Sequence, residues 1–133
     1  MATLLYTEAF AAYGAKLANP QWAYSAIGGD GAIVLSCWAH KLKPAGGALR
    51  YIDKLSRWRL NLPGKNLLVE HLKLGMDDKL PVRLIIATTT LPEVVDRGED
   101  ASTIPKTFHI RKDVTGAVTL FDGDNFELEF RRK

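Results

Sequence analysis

The sequence predicts an α+β domain, built as a strongly bent, mostly antiparallel sheet or open β-barrel with two to three flanking helices. Aromatic and β-branched residues fill two arms around the Gly-Gly-Asp-Gly turn at 28–31, a pattern typical of a β-hairpin. Three short segments near the C-terminal end alternate apolar and polar residues, as half-buried strands do. Two other segments have the apolar spacing of amphipathic helices.

Length and composition favour one globular domain covering 1–133. A domain of this size can bury a hydrophobic core without disulfides or a structural metal. No uncharged run supplies the ~20 apolar residues of a membrane span. The first residues lack the basic and apolar regions of a signal peptide, so we expect a cytoplasmic protein with no membrane partner. The single cysteine, Cys37, lies in an apolar stretch, which predicts a buried and inert thiol.

The first half of the chain is predicted to hold one helix and the central hairpin. A helix over 3–16 ends at an Asn-Pro pair, because the residue before a proline avoids helical geometry. The hairpin follows over 22–39, and its second arm is apolar on both faces, as expected of a central strand. Residues 41–48, with one proline and two glycines, are predicted as a loop, and 49–58 as a short strand passing into a turn.

The second half is predicted to begin with a helix over 65–76, whose apolar residues cover one face. A β-branched run predicts a buried strand over 82–88, and 89–105 is predicted as a long loop with one helical turn at 93–97. Turn-forming residues separate the last predicted strands, at 107–111, 118–121 and 125–131. The predicted core comprises Val34, Leu35, Leu68, Leu72, Leu84, Ile85 and Ile86.

Positive charge is concentrated in the middle of the chain. Residues 40–73 contain eight Lys and Arg against two acidic residues, whereas 81–133 contain eight against nine. Basic residues interleaved with Tyr51 and Trp58 are typical of a surface that contacts phosphates and stacks on bases, although ordinary solubilising charge gives the same count. The phosphate-binding hypothesis names Lys41, Lys43, Arg50, Arg57, Arg59 and Lys65.

Aromatic residues of the hairpin suggest a pocket for a planar base. Trp22 and Tyr24 share one strand face because side chains alternate, and each ring stacked on a base contributes about 1–3 kcal/mol. With Ser25 and Trp58 they form the predicted base pocket. The alternative, in which the tryptophans are ordinary core residues, stays open.

Common catalytic and cofactor motifs are absent: the sequence contains no GxGxxG, GxxxxGK[ST], CxxC or HExxH. We therefore expect no cofactor and no metal site, and favour a binding protein over an enzyme. One alternative is a small metal-dependent nuclease or phage-defence hydrolase that uses Glu70, His71 and an aspartate. Another is a structural or interaction protein without a ligand.

The hairpin pattern W-x2-SA-x3-DG-x2-VL-x2-W, followed by Gly64-Lys65-Asn66 and the strand VRLIIA, resembles the PUA-like class of nucleic-acid readers. This class includes SRA, ASCH and EVE folds, which occur in bacterial HNH-type modification-dependent restriction proteins. The resemblance covers about 19–88. It implies a bent barrel whose concave face holds a nucleic-acid base, often flipped out of the helix. We expect the partner to be DNA, modified or unmodified. No HNH sequence accompanies it, and His40 stands where an acidic residue is expected.

Overall fold

The structure, a computed structural model, describes residues 4–19, 23–57, 62–99 and 104–133. Within them the strands are β1 (Ser25–Ile27), β2 (Ile33–Trp38), β3 (Leu42–Ala45), β4 (Ala48–Lys54), β5 (Val82–Thr89), β6 (Lys106–Ile110), β7 (Val114–Phe121) and β8 (Asn125–Arg132). The helices are α1 (Tyr6–Ala11), α2 (Leu62–Asp77) and α3 (Pro92–Asp96), with short 3₁₀ helices at Ala39–Lys41 and Leu55–Arg57. None of the described helices has the length and apolar character that crossing a membrane requires.

The strands form one unclosed sheet in the order β1-β2-β5-β7-β8-β4-β3. The edge of β5 that faces away from β2 pairs with two strands. Residues 85–89 of β5 pair with β6, and Val82 pairs with β7. β2 and β5 pair in parallel, whereas the other described strand pairs are antiparallel. The predicted α+β class with a mostly antiparallel, open sheet is confirmed.

The predicted hairpin is present, formed by β1 and β2 around the Gly-Gly-Asp-Gly turn. The Gly28 N–H donates to the Ala32 carbonyl at 2.8 Å, and Asp30 Oδ1 accepts from the Ala32 N–H at 3.0 Å. Arg83 of β5 donates to Asp30 Oδ2 at 2.8 Å. Hydrogen bonds from Arg83 and then from Ala32 lower the pKa of Asp30, so the ionised carboxylate ties the turn to the neighbouring strand.

β2 is buried on both faces, as its apolar sequence predicts. One face packs with α2 and the inner faces of β5, β7 and β8, in a cluster that includes Ile33, Leu35, Cys37, Leu68, Leu72, Leu84, Ile86, Phe126, Leu128 and Phe130. The other face packs with α1 in a second cluster that includes Ala9, Phe10, Ala26, Val34, Ile85, Ala87 and Phe108. Every residue predicted as core is buried, and burial raises the pKa of the Cys37 thiol well above its usual value.

α1 is shorter than the helix predicted over 3–16, because the chain leaves helical geometry at its C-terminal end. Gly14 has a φ of +69°, a left-handed conformation that suits glycine and commonly terminates helices. The Ala15 N–H then donates to the Phe10 carbonyl at 3.0 Å, closing the last turn. Other predicted elements are confirmed in place, namely α2, β5, α3, β6 and β8.

The loop predicted over 41–48 is wrong, since β3 and β4 form a second hairpin there. Gly46 and Gly47 have φ values of +57° and +82°, the geometry of a tight two-residue hairpin turn.

β7 begins four residues earlier than the strand predicted from 118. Its Gly116 is required by packing, because a Cβ there would lie 2.4 Å from the ring of Phe130.

We expect Ile85→Ala to lower the free energy of unfolding by about 2–5 kcal/mol, through lost burial and the cavity left behind. Ile85 is fully buried, at 0% exposed. Leu120→Ala, at a strand position that is 42% exposed, is the matched control and should change stability by no more than about 0.5 kcal/mol. Urea denaturation of both variants measures this, and equal effects would contradict the central position of β5.

Candidate functional site

An open pocket of about 270 Å³ lies beside the β3–β4 hairpin. Its lining comes from the first 3₁₀ helix, both strands of the hairpin and the end of α3, and comprises His40, Lys41, Lys43, Arg50, Ile52 and Asp96. Three residues predicted to bind phosphate, Lys41, Lys43 and Arg50, therefore meet in one place although they are separated in sequence.

Strand alternation explains why these side chains meet. Lys43 is directly opposite Arg50 in the β3–β4 ladder, and cross-strand neighbours lie on the same face of a sheet. Tyr51, between Arg50 and Ile52, is buried in the core at 2% exposed, whereas Ile52 is 58% exposed. Arg50 and Ile52 thus lie on the outer face of the sheet, where the pocket opens to solvent.

Asp96 brings a negative charge into this basic pocket. His40 Nε2 donates to Asp96 Oδ1 at 2.9 Å, and Lys41 Nζ lies 3.8 Å from the same oxygen. Burial alone would raise the pKa of Asp96, but the His40 hydrogen bond and the charges of His40, Lys41 and Arg57 outweigh it, so the pKa is lowered. Asp96 is therefore a carboxylate at neutral pH, and it orders the two side chains that it contacts.

Arg50 also lies close to a carboxylate. Its Nη2 is 3.0 Å from Glu127 Oε1 on β8, but this buried oxygen accepts no well-formed hydrogen bond from the residues described. The contact is thus an ion pair without hydrogen-bond geometry. Because a guanidinium has five N–H donors and the Arg50 side chain is 46% exposed, Arg50 retains donors for a second anion.

Lys43 is exposed on the edge strand β3. Within the described part of the chain it forms no ion pair. Lysine presents a compact point charge on a flexible stem, so it adapts to an anion without a fixed geometry.

Arg57 does not reach the pocket surface. Its guanidinium, 9% exposed, donates from Nε and Nη2 to the two oxygens of Asp53 at 2.7 Å each, and from Nη1 to the Val95 carbonyl of α3. Desolvation would lower the pKa of Arg57, but the hydrogen bonds and charge of Asp53 outweigh it and raise the pKa. This geometry joins β4 to α3 and turns Arg57 inward, away from the pocket lining and from the phosphate-binding role predicted for it.

Other predicted phosphate ligands are distributed differently. Lys65 is half-buried in α2 and is not part of the pocket lining. Arg59 lies outside the described residues. The structure therefore unites only part of the predicted basic set.

The predicted base pocket is described only in part, because Trp22 and Trp58 lie outside the described residues. Tyr24 is half-buried just before β1 and its carbonyl accepts from the Ser36 N–H at 3.1 Å. Burial, and next the proximity of Tyr24, raise the pKa of Tyr6 on α1. Tyr24 therefore lies near the α1 side of the sheet.

Ser25 lies on the α2 side, which separates it from Tyr24. It is 0% exposed, and its hydroxyl is 2.6 Å from His71 Nδ1. Its polar group is thus satisfied within the fold rather than presented to a ligand. Successive side chains of a strand point to opposite faces, so Ser25 lies on the face opposite to that of Tyr24.

Glu70 and His71, the residues of the metal-dependent alternative, point apart. Glu70 is exposed, whereas His71 is only 7% exposed and contacts Ser25. Desolvation lowers the pKa of His71. The negative charge of Glu70 would raise this pKa, but its effect is smaller than that of desolvation. In the described ranges, no group of three or more His, Cys, Asp or Glu side chains is arranged to hold a metal ion.

Three pocket residues were missed in the functional interpretation of the sequence: His40, Ile52 and Asp96. The sequence shows His40 as a departure from a family pattern, and it places Asp96 in the helical turn predicted at 93–97. The strand period gives a signal for Ile52, which is two residues from Arg50 and thus on the same face. No local signal links Asp96 to His40, because 56 positions separate them.

The buried Ser25–His71 contact predicts a specific pH dependence of stability. Since the folded state lowers the pKa of His71 below 6.5, the unfolded state binds the proton more readily, and stability should fall as the pH drops below about 6.5. His71→Asn should flatten this dependence, whereas His109→Asn, which leaves the contact intact, should retain it. Urea denaturation across this pH range measures the difference, and an unchanged slope in His71→Asn would contradict the assignment.

The chain matches no known protein-family model, and neither curated proteins nor solved structures show significant similarity to it. The resemblance to PUA-like readers therefore stays a prediction based on the hairpin pattern.

Proposed function

We propose that this protein binds DNA, with the pocket beside the β3–β4 hairpin contacting backbone phosphates. The observation that carries the proposal is the convergence of Lys41, Lys43 and Arg50 around one open pocket. Phosphate contacts by lysine and arginine supply most of the affinity of non-specific DNA binding. Basic side chains that converge on an exposed sheet face bind a polyanion better than the same charges scattered over a surface.

The charge and the side-chain types of the pocket suit phosphate. Leaving His40 out of the count, three basic side chains and one carboxylate give the lining a net charge of +2. Arginine forms paired hydrogen bonds with phosphate oxygens, and the flexible lysines complete the neutralisation. Because Ile52 is exposed in the same lining, the pocket also offers an apolar contact to a sugar.

We further propose that the protein is a reader, which recognises a base, modified or unmodified, by stacking on aromatic residues near the start of the hairpin. Trp22 and Tyr24 are the candidates, because each ring adds about 1–3 kcal/mol of sequence-tolerant stacking. The resemblance of the hairpin to PUA-like modules supports this part of the proposal. A bacterial DNA partner implies a cytoplasmic location.

Binding to DNA should weaken steeply as salt rises, because each phosphate contact adds a slope of about −0.9 to the plot of log affinity against log salt. Lys43→Ala and Arg50→Ala should each reduce the slope by about one contact without changing sequence preference. Fluorescence anisotropy with a labelled duplex, over a series of salt concentrations, measures both effects.

Lys73→Ala is the matched control for this titration. Lys73 is exposed on α2 and lies outside the pocket lining, so its removal changes the net charge equally but should leave the slope unchanged. An affinity that is independent of salt in the native protein would overturn the phosphate assignment. Equal losses in all three variants would show that total charge, rather than the pocket, controls binding.

Trp22→Ala should weaken DNA binding by about 1–3 kcal/mol and leave the free energy of unfolding nearly unchanged. If Trp22 is instead a core residue, the variant should lose about 3–5 kcal/mol of stability, and its folded fraction should bind DNA normally. Urea denaturation and DNA anisotropy on the same sample decide between these two roles.

A further inference from the structure

Two of the three pocket cations already lie beside carboxylates of the protein. Lys41 Nζ is 3.8 Å from Asp96 Oδ1 and 3.9 Å from Asp53 Oδ1, and Arg50 Nη2 is 3.0 Å from Glu127 Oε1. An anion that enters the pocket must therefore compete with these carboxylates for the same donors. Its advantage depends on how much charge it carries.

Phosphates within a DNA strand and at its end differ in this respect. An internal phosphodiester carries one negative charge, the same as a carboxylate, whereas a phosphate monoester carries about −1.5 to −2 at pH 7 and presents three strong acceptor oxygens. The diester gains little by replacing Asp96 beside Lys41. The monoester offers more charge and one more acceptor to Lys41, Lys43 and Arg50 together.

The position of the pocket lets such a ligand enter from solvent. The pocket, of about 270 Å³, opens on the outer face of the sheet, where Ile52 is exposed. His40 and Asp96 of the lining come from elements outside the hairpin. A phosphate at the end of a strand can therefore approach Lys41, Lys43 and Arg50 from the open side.

We propose that the pocket binds a terminal phosphate monoester of a DNA strand in preference to an internal phosphodiester. This inference rests on the proposed DNA binding and specifies which phosphate occupies the pocket. Lys43 meets the phosphate first. Arg50 contributes the donors that Glu127 does not engage, and Lys41 turns from Asp96 to the ligand while Asp96 keeps its hydrogen bond from His40.

The test compares short duplexes of one sequence, labelled internally, that carry a 5′-phosphate, a 3′-phosphate or hydroxyl groups at all ends. Native protein, Lys43→Ala and Lys73→Ala are titrated with each duplex at one low salt concentration, and thermal unfolding confirms that each variant is folded. We expect about tenfold tighter binding, or about 1.4 kcal/mol, for a duplex with a terminal phosphate. The duplex that binds more tightly shows whether the pocket prefers a 5′-phosphate or a 3′-phosphate.

The preference should disappear in Lys43→Ala and persist in Lys73→Ala, which removes a lysine outside the pocket. Equal affinity of the native protein for phosphorylated and unphosphorylated ends would overturn the inference, and salt-dependent binding to both would leave the proposed DNA binding standing. A preference that survives Lys43→Ala would also overturn it, since the phosphate would then bind elsewhere. Failure of every duplex to bind would reject both the inference and the proposed function.

Discussion

The parallel pairing of β2 with β5 is the constraint on which the rest of the fold depends. β2 is buried on both faces, and β5 is buried at five of its eight positions, so this strand pair must be covered on both sides. α2 packs over one side and α1 over the other, which produces the two separate core clusters. Because the helices cover this end of the sheet, the outer face of the β3–β4 hairpin is left to solvent, as the exposed Ile52 shows. The candidate pocket lies on that uncovered face.

The buried pair of Asp53 and Arg57 connects this core to the pocket. Both side chains are withdrawn from water, at 1% and 9% exposed, and the cost of desolvating two charges is offset only where the geometry is paired and hydrogen bonded. Here the two 2.7 Å contacts meet that requirement. The third hydrogen bond, from Arg57 to the Val95 carbonyl, fixes α3 and with it Asp96. An ion pair below the surface thus sets the position of the carboxylate in the pocket.

How far the sequence predicts this arrangement depends on how local each signal is. The β1–β2 hairpin, α2 and β5 follow from periodicity and turn chemistry within single segments, and the structure bears them out. The β3–β4 hairpin was missed because Pro44 and the two glycines indicate a loop as readily as a tight turn between edge strands. For Arg57, the sequence does not distinguish an exposed cation from one paired with Asp53, because burial decides whether such a pair forms. The approach of Asp96 to His40 is a tertiary contact with no signature in either segment.

In the proposed phosphate site, the carboxylates around the pocket would favour highly charged anions, which its lysines and arginine do not do by themselves. Cations without partners attract any polyanion, and their contacts with surface anions are weak and screened by salt. Asp96 and Glu127 each hold one of these cations in place, which lowers the attraction for every anion by a similar amount. A singly charged ligand then gains less from entering the pocket than a doubly charged one. If the pocket binds phosphate as proposed, its preference for charge density therefore follows from the internal ion pairs, and α3, anchored by Arg57, is the element that sets it.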